Sequence, residues 1–174
     1  IHAAMRDFRK AELAYNDAVK LDSGFFYHYL RRGQVRYERR KFEQARVDLE
    51  HSLALLPTGD AHFMLGNLDR RSGNLDSAIK HYQQAAQSGS EQAQRELVLL
   101  ELPSNPGKYV QSKAALGRDG YVNAAVRNNS PVTVGGIKVK VEYVDPNGKL
   151  REFTMTFSQT FKSGEWAALP TKIR

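Results

Sequence analysis

Ala11, Ala45 and Ala78 stand 34 and then 33 residues apart, and their surroundings recur with them. Four residues after each comes a large side chain (Tyr15, Leu49, Tyr82), and seven after a small one (Ala18, Ser52, Ala85). Twelve after stands a turn or cap residue (Ser23, Pro57, Ser90), and three before a bulky apolar one (Phe8, Phe42, Leu75). Twelve before the second and third alanines lie Gly33 and Gly66, with Tyr29 and His62 four residues earlier. Nothing else in the chain constrains the fold as strongly. A unit of this length cannot bury its apolar face alone, so the copies must stack. Spacings of three, four and seven are helical, which makes each unit a pair of helices. Gly and Ala fall where the two antiparallel helices of one unit cross closely and nothing larger fits. The large residue one turn on fills the adjoining gap. Pro or Ser ends one pair and starts the next.

The pattern resembles the tetratricopeptide repeat, W-x2-L-G-x2-Y, then A-x3-F, then P, on a period of about 34 residues. Departures are visible: Arg36 and Asp69 occupy the usual Tyr slot, Tyr37 is one place off, and Arg32 stands where the next repeat has Leu65. About two and a half repeats are expected over residues 1–102, the first represented only by its second helix, roughly Arg6 to Leu21. That half repeat, and a chain beginning with Ile1, predict a fragment cut from a longer array. Glu91 to Leu102, with Leu97, Val98, Leu99 and Leu100, is expected to be a capping helix over the last repeat.

Beyond it the composition changes. Leu102-Pro103-Ser104-Asn105-Pro106-Gly107 cannot continue a helix, so residues 103–108 read as a linker and 109–174 as a second domain. The net charge of +7 divides at the same place: 15 basic and 14 acidic side chains up to residue 107, then 11 and 5. The period falls to 2. Ile137, Val139, Val141 and Tyr143 alternate with Lys138, Lys140 and Glu142, and Phe153, Met155 and Phe157 alternate with Thr154 and Thr156. Asp145-Pro146-Asn147-Gly148 between them signals a hairpin. Further strands are expected at Tyr109–Leu116, Tyr121–Asn128 and Trp166–Leu169. Together they predict a small β-sandwich with a basic outer face. The run Val122 to Pro131, followed by Val139 to Asp145, resembles the bacterial immunoglobulin-like FxLyD domains, although Val139 and Val141 stand where that family has Phe and Leu. The fold class expected is therefore α + β in two domains: an α-solenoid of tetratricopeptide type, then an immunoglobulin-like β-sandwich.

Little in the chain carries reaction chemistry. There is no cysteine, and no nucleophile elbow, P-loop or dinucleotide fingerprint. Gly135-Gly136 precedes a strand rather than a helix and reads as a turn, not a phosphate cradle. His2, His28, His51, His62 and His81 form no H-E-x-x-H, so no metal and no cofactor are expected, and the chain reads as no enzyme. No apolar run approaches a membrane span. Arg31, Arg32, Arg36, Arg39, Arg40 and Lys41, interleaved with Tyr27, Tyr29 and Tyr37, raise the alternative of a basic RNA-binding module. Glu38, Glu43, Asp48 and Glu50 nearby favour a solvated, salt-bridged face instead.

What remains is surface. In stacked helix pairs the first helix of each lines a concave groove that suits a peptide or protein partner. Helical spacing from Gly33 and Gly66 places Tyr27, Leu30, Gln34 and Tyr37, then Phe63, Asn67, Arg70 and Arg71 on that face. Gln34 and Asn67 suit an extended backbone, and Arg70 and Arg71 a carboxylate. About half of the eight are expected to pack between repeats. The family's two-carboxylate clamp would want Lys where Leu30 and Phe63 stand.

The order of parts resembles a wider context. Asp48-Leu49-Glu50 and Ser52 to Thr58 lead into Ala61-His62 and Leu65-Gly66, then Glu101-Leu102-Pro103, Asn105 to Tyr109 and a short β domain. This is similar to the C-terminal region of bacterial Ste24-type zinc metallopeptidases, which carry an H-E-x-x-H domain first and repeats after it. The resemblance implies a periplasmic or envelope-associated parent, with this piece holding substrates, assembly factors or the upstream catalytic domain. None of that family's metal ligands occurs here. The other reading left open is a free-standing envelope scaffold with no protease attached.

Overall fold

The computed structural model describes residues 2–116, 122–144 and 147–170. They divide into two compact units, residues 1–100 and 101–174. Among the described residues six α-helices come first: α1 (His2–Leu21), α2 (Phe26–Glu38), α3 (Phe42–Leu55), α4 (Gly59–Ser72), α5 (Leu75–Gln87) and α6 (Glu91–Glu101). Consecutive helices pack on one another, most extensively α2 on α3 and α4 on α5. These are the two complete repeats of the sequence.

Each pair closes on the glycine–large-residue contact that the spacing predicts. A Cβ built on Gly33 would stand 2.9 Å from Leu49 Cγ and 3.3 Å from the carbonyl oxygen of Ala45. One built on Gly66 would lie 2.7 Å from the ring of Tyr82. Ala45, Ala78, Leu49 and Tyr82 are fully buried. Burial pushes the Tyr82 phenol up to about 12, and its hydroxyl donates to Asn67 Oδ1 at 2.8 Å. Local capping starts the next elements. Thr58 Oγ1 accepts from the Ala61 N–H, and Ser90 Oγ from that of Ala93. Ala93 and Val98 of α6 are buried, and Leu97 and Leu100 pack against the cluster formed by Ala78, Tyr82, Ala85 and Ala93, while Leu99 faces solvent.

The second unit holds a short 3-10 turn, Pro106–Lys108, and then β1 (Val110–Leu116), β2 (Val122–Asn128), β3 (Val134–Val144), β4 (Leu150–Phe161) and β5 (Trp166–Pro170). They form two antiparallel sheets, one of order β1-β2-β5 and one of β3-β4. Every strand contributes to one core: Val126, Phe157 and Phe161 at its centre, with Val110, Ile137, Met155 and Ala167 around them. Within the hairpin signal, Asp145 and Pro146 lie outside the described residues, as does Tyr121; Gly148 takes the left-handed conformation at φ 76°. Gly135-Gly136 is not a turn. It lies inside β3, where the register against β4 slips between Gly135 and Ile137 and Gly136 has φ 65°. Gly136 opens a β-bulge, which a side-chain-bearing residue adopts at a cost.

Ser52 differs from its counterparts Ala18 and Ala85. It is fully buried, and its hydroxyl has no hydrogen-bond partner. A buried unpaired hydroxyl costs about 1–3 kcal/mol relative to a satisfied one. Ser52→Ala removes it with almost no change of volume. It is expected to stabilise the protein by about 1 kcal/mol in urea unfolding, and a loss of stability would contradict the assignment.

Candidate interaction surface

Four of the six cations in the Arg31–Lys41 cluster are not a solvated face. Asp48 and Glu12, both buried, draw them inward. Arg32 grips Asp48 bidentately, Nε to Oδ2 at 3.0 Å and Nη2 to Oδ1 at 2.7 Å, and Arg36 Nη1 donates to the same Oδ2 at 2.8 Å. Arg36 Nε also reaches Glu12 Oε1 at 3.2 Å; Lys41 Nζ bridges both Glu12 oxygens at 3.0 Å, and Arg39 donates to Oε2. Burial works to raise the Glu12 carboxyl, but hydrogen bonds from Lys41 and Arg36 and the charges of Lys41 and Arg39 hold it below the usual range. Of Glu38, Glu43, Asp48 and Glu50, Asp48 is the one that takes these cations, and the second acceptor, Glu12, lies outside the acids the sequence reading named. Their burial was not foreseen, because it depends on α1 lying against α2.

The two departures from the Tyr slot explain each other. Arg36 on α2 lies between Glu12 on the preceding α1 and Asp48 on its own partner α3. One repeat later the polarity reverses. Asp69 on α4 lies between Arg46 on the preceding α3, at 2.7 Å, and His81 Nε2 on its partner α5, at 3.7 Å. Ser77 Oγ donates at 2.6 Å to Asp69 Oδ2, the oxygen that faces His81. Glu12 and Arg46 are 34 apart, and Arg36 and Asp69, like Asp48 and His81, are 33 apart. The same three positions therefore read acid–base–acid in one repeat and base–acid–histidine in the next.

His81 has a second partner. Its Nδ1 lies 3.0 Å from Nδ1 of His62, so one ring donates to the other and the acceptor is neutral. Burial pushes both rings below the ordinary histidine range. At His62 the charge of His81 adds to this; at His81, Asp69 opposes it, Arg46 reinforces it and Glu50 opposes it. Among the described residues no group of three or more His, Cys, Asp or Glu could hold a metal ion.

The eight groove residues divide. Tyr27, Arg70 and Arg71 are exposed. Gln34 is half-buried and accepts from Arg31 Nη1 at 2.6 Å, with the Arg31 guanidinium 5.8 Å from the Tyr27 ring. These residues make one face of α2, continued by a depression of about 360 Å³ lined by Phe8, Arg31, Gln34, Val35, Glu38 and Met64. Leu30 is 3 % exposed and belongs to the core with Leu49 and Leu65. Tyr37 packs on that core and edge-on to Phe42; Phe63 packs on Tyr82, and Asn67 is occupied by the Tyr82 hydroxyl. Arg70 pairs loosely with Glu96 at 3.6 Å. Arg71 lies over the Phe42 ring at 4.1 Å, a cation–π contact.

Sequence reasoning read Arg40 only as part of the basic cluster and missed its backbone. Arg40 is the one non-glycine residue with positive φ, 59°, among those described. Its equivalent 33 residues on is Gly73, at φ 82°, and that alignment is the signal that marks the turn.

The family model described as Tetratricopeptide repeat matches residues 30–93. A crystal structure of MamA is similar in fold, with 23% identity and a TM-score of 0.51 over 58% of this chain and 58% of that one. MamA 41-end from Desulfovibrio magneticus RS-1 is similar at 21% identity and a TM-score of 0.52, covering 61% of this chain and 62% of that one. The chain thus spans less than two thirds of either. No curated protein matches it by sequence. The six-helix unit is a solenoid of tetratricopeptide type, followed by a small antiparallel-sheet region.

The histidine pair makes stability depend on pH. In the unfolded chain both rings titrate near an ordinary pKa of about 6.5, whereas the folded pair resists protonation. Below that pH the unfolded state binds more protons, so stability falls as pH falls. The melting temperature is expected to drop between about pH 7.5 and pH 5, and less steeply in His62→Gln, which removes one of the two rings that resist protonation. Equal drops in the two proteins would contradict the pairing.

Proposed function

We propose that this chain is a non-catalytic protein–protein interaction module that binds a peptide or protein partner along the α2–α4 face. The observation that carries this reading is the accessible run Tyr27, Arg31 and Gln34 beside the depression ending at Glu38 and Met64. Gln34 presents an amide to an extended backbone, and Tyr27 offers amphipathic area at little entropic cost. Leu30, Phe63 and Asn67 support the face from beneath rather than touching the partner.

The β unit is proposed as an immunoglobulin-like sandwich, on the support of two antiparallel sheets sharing one core. The parent we propose is a bacterial envelope zinc metallopeptidase of Ste24 type, in the periplasm or at the envelope. This rests on the order of segments from Asp48 to Tyr109 alone; a free-standing envelope scaffold is the alternative. The RNA reading loses its support, because Arg32, Arg36, Arg39 and Lys41 are occupied by Glu12 and Asp48.

A random peptide-display selection against the full chain tests the face. Peptides recovered should bind the wild type and lose about tenfold or more in affinity, about 1.4 kcal/mol, to Tyr27→Ala with Gln34→Ala. Unchanged affinity in that variant would contradict the reading.

A further inference from the structure

At the turn between α2 and α3 a second depression, about 330 Å³, is lined by Tyr37, Glu38, Arg40, Phe42 and Arg71. Glu38 borders both this depression and the one on the α2–α4 face, so the two adjoin. Two features of the turn are unusual. The first is the backbone of Arg40, whose N–H donates to the Tyr37 carbonyl at 2.9 Å while that of Lys41 donates to the Arg36 carbonyl at 2.8 Å. These bonds close the end of α2 with Arg40 in the left-handed region, which glycine fills easily and a side-chain-bearing residue fills only under strain. The equivalent turn of the next repeat uses Gly73. The second is charge. Arg32, Arg36, Arg39, Lys41 and Arg46 are each bonded to a buried carboxylate, yet among the described residues none pairs with Arg40 or Arg71. Arg71 is held instead on the face of Phe42, with its guanidinium open to solvent.

We infer that Arg40 and Arg71 form a subsite for an acidic side chain, aspartate or glutamate, of the peptide that lies along the α2–α4 face. This rests on the peptide-binding reading above and adds the charge of the ligand. Two guanidiniums on one depression, one of them fixed by an aromatic ring, suit a planar carboxylate. Tyr37 forms the wall. Glu38 at the rim opposes the ligand's charge and moderates its affinity. Arg40 places a cation, at the cost of backbone strain, where glycine would be more stable.

Fluorescence anisotropy with a labelled polyglutamate peptide of about ten residues reads the site, with polylysine of equal length as control. Wild type is expected to bind polyglutamate and not polylysine. Arg40→Gly should weaken binding about tenfold while raising the melting temperature by a few degrees; Arg71→Gln should weaken it similarly, and Glu38→Gln should tighten it several-fold. The gain in stability shows that the lost affinity is not unfolding. Absence of binding, unchanged affinity in Arg40→Gly and Arg71→Gln, or displacement by inorganic phosphate at equal charge concentration would each overturn the subsite. Selected peptides that depend on Tyr27 and Gln34 but not on Arg40 and Arg71 would leave the face standing and remove the subsite. Dependence on the arginines alone would keep the subsite and remove the face.

Discussion

Glu12, Asp48 and Asp69 are carboxylates inside a helix stack, and the arrangement of α1 to α5 depends on what neutralises them. An ionised carboxylate left alone at such a position costs several kcal/mol. Each therefore requires its cation, and that cation comes from a neighbouring helix: Arg36 from α2 for Glu12, Arg32 and Arg36 from α2 for Asp48, Arg46 from α3 for Asp69. Apolar packing supplies the drive to stack but says little about order, since Ala45 and Ala78 or Leu49 and Tyr82 fill equivalent places. The reversal of polarity between repeats does say it. Were α4 to dock on α1 in place of α2, Asp69 would face Glu12, and two buried like charges would meet. Short connections already make consecutive helices neighbours; the ion pairs fix how each helix is set against the next, and so which residues of α2 and α4 share a face.

That division of labour separates what could be read in the sequence from what could not. Positions filled for their size were legible: the Gly33–Leu49 and Gly66–Tyr82 crossings follow from spacing alone, because both members lie in one helix pair and the pair repeats. Arg36 and Asp69 stood out only as departures from a pattern. Their meaning depends on Glu12 and Arg46, contributed by the preceding unit, and nothing local marks a glutamate on an amphipathic helix as buried. For the same reason the run Arg31 to Lys41 looked like surface, although four of its six cations turn inward. On the candidate face, helical spacing found Tyr27 and Gln34. It also included Leu30, whose slot is apolar because the core reaches that far.

In the β unit the alternation of period 2 located the strands, but one buried polar residue that ties them together left no trace in it. Asn128 at the end of β2 is fully buried, and its Nδ2 donates to the carbonyls of Val132 and Phe161 at 2.6 and 3.0 Å. Its Oδ1 accepts from the N–H and hydroxyl of Ser130 at 2.9 and 2.6 Å. One side chain so joins the end of β2, the loop that leads to β3 and the end of β4. A run of two asparagines and a serine announces a loop, but the strand it reaches is set by the fold.

The positioning role of the buried charges is tested most directly by a double-mutant cycle on Arg46 and Asp69, read by urea unfolding of the full chain. Arg46→Ala alone should cost about 3 kcal/mol, because Asp69 is left buried without its cation, and the cycle should return a coupling of about 2 kcal/mol. A coupling near zero, with the two single losses simply adding, would show that the pair is incidental to the stack and would contradict the account.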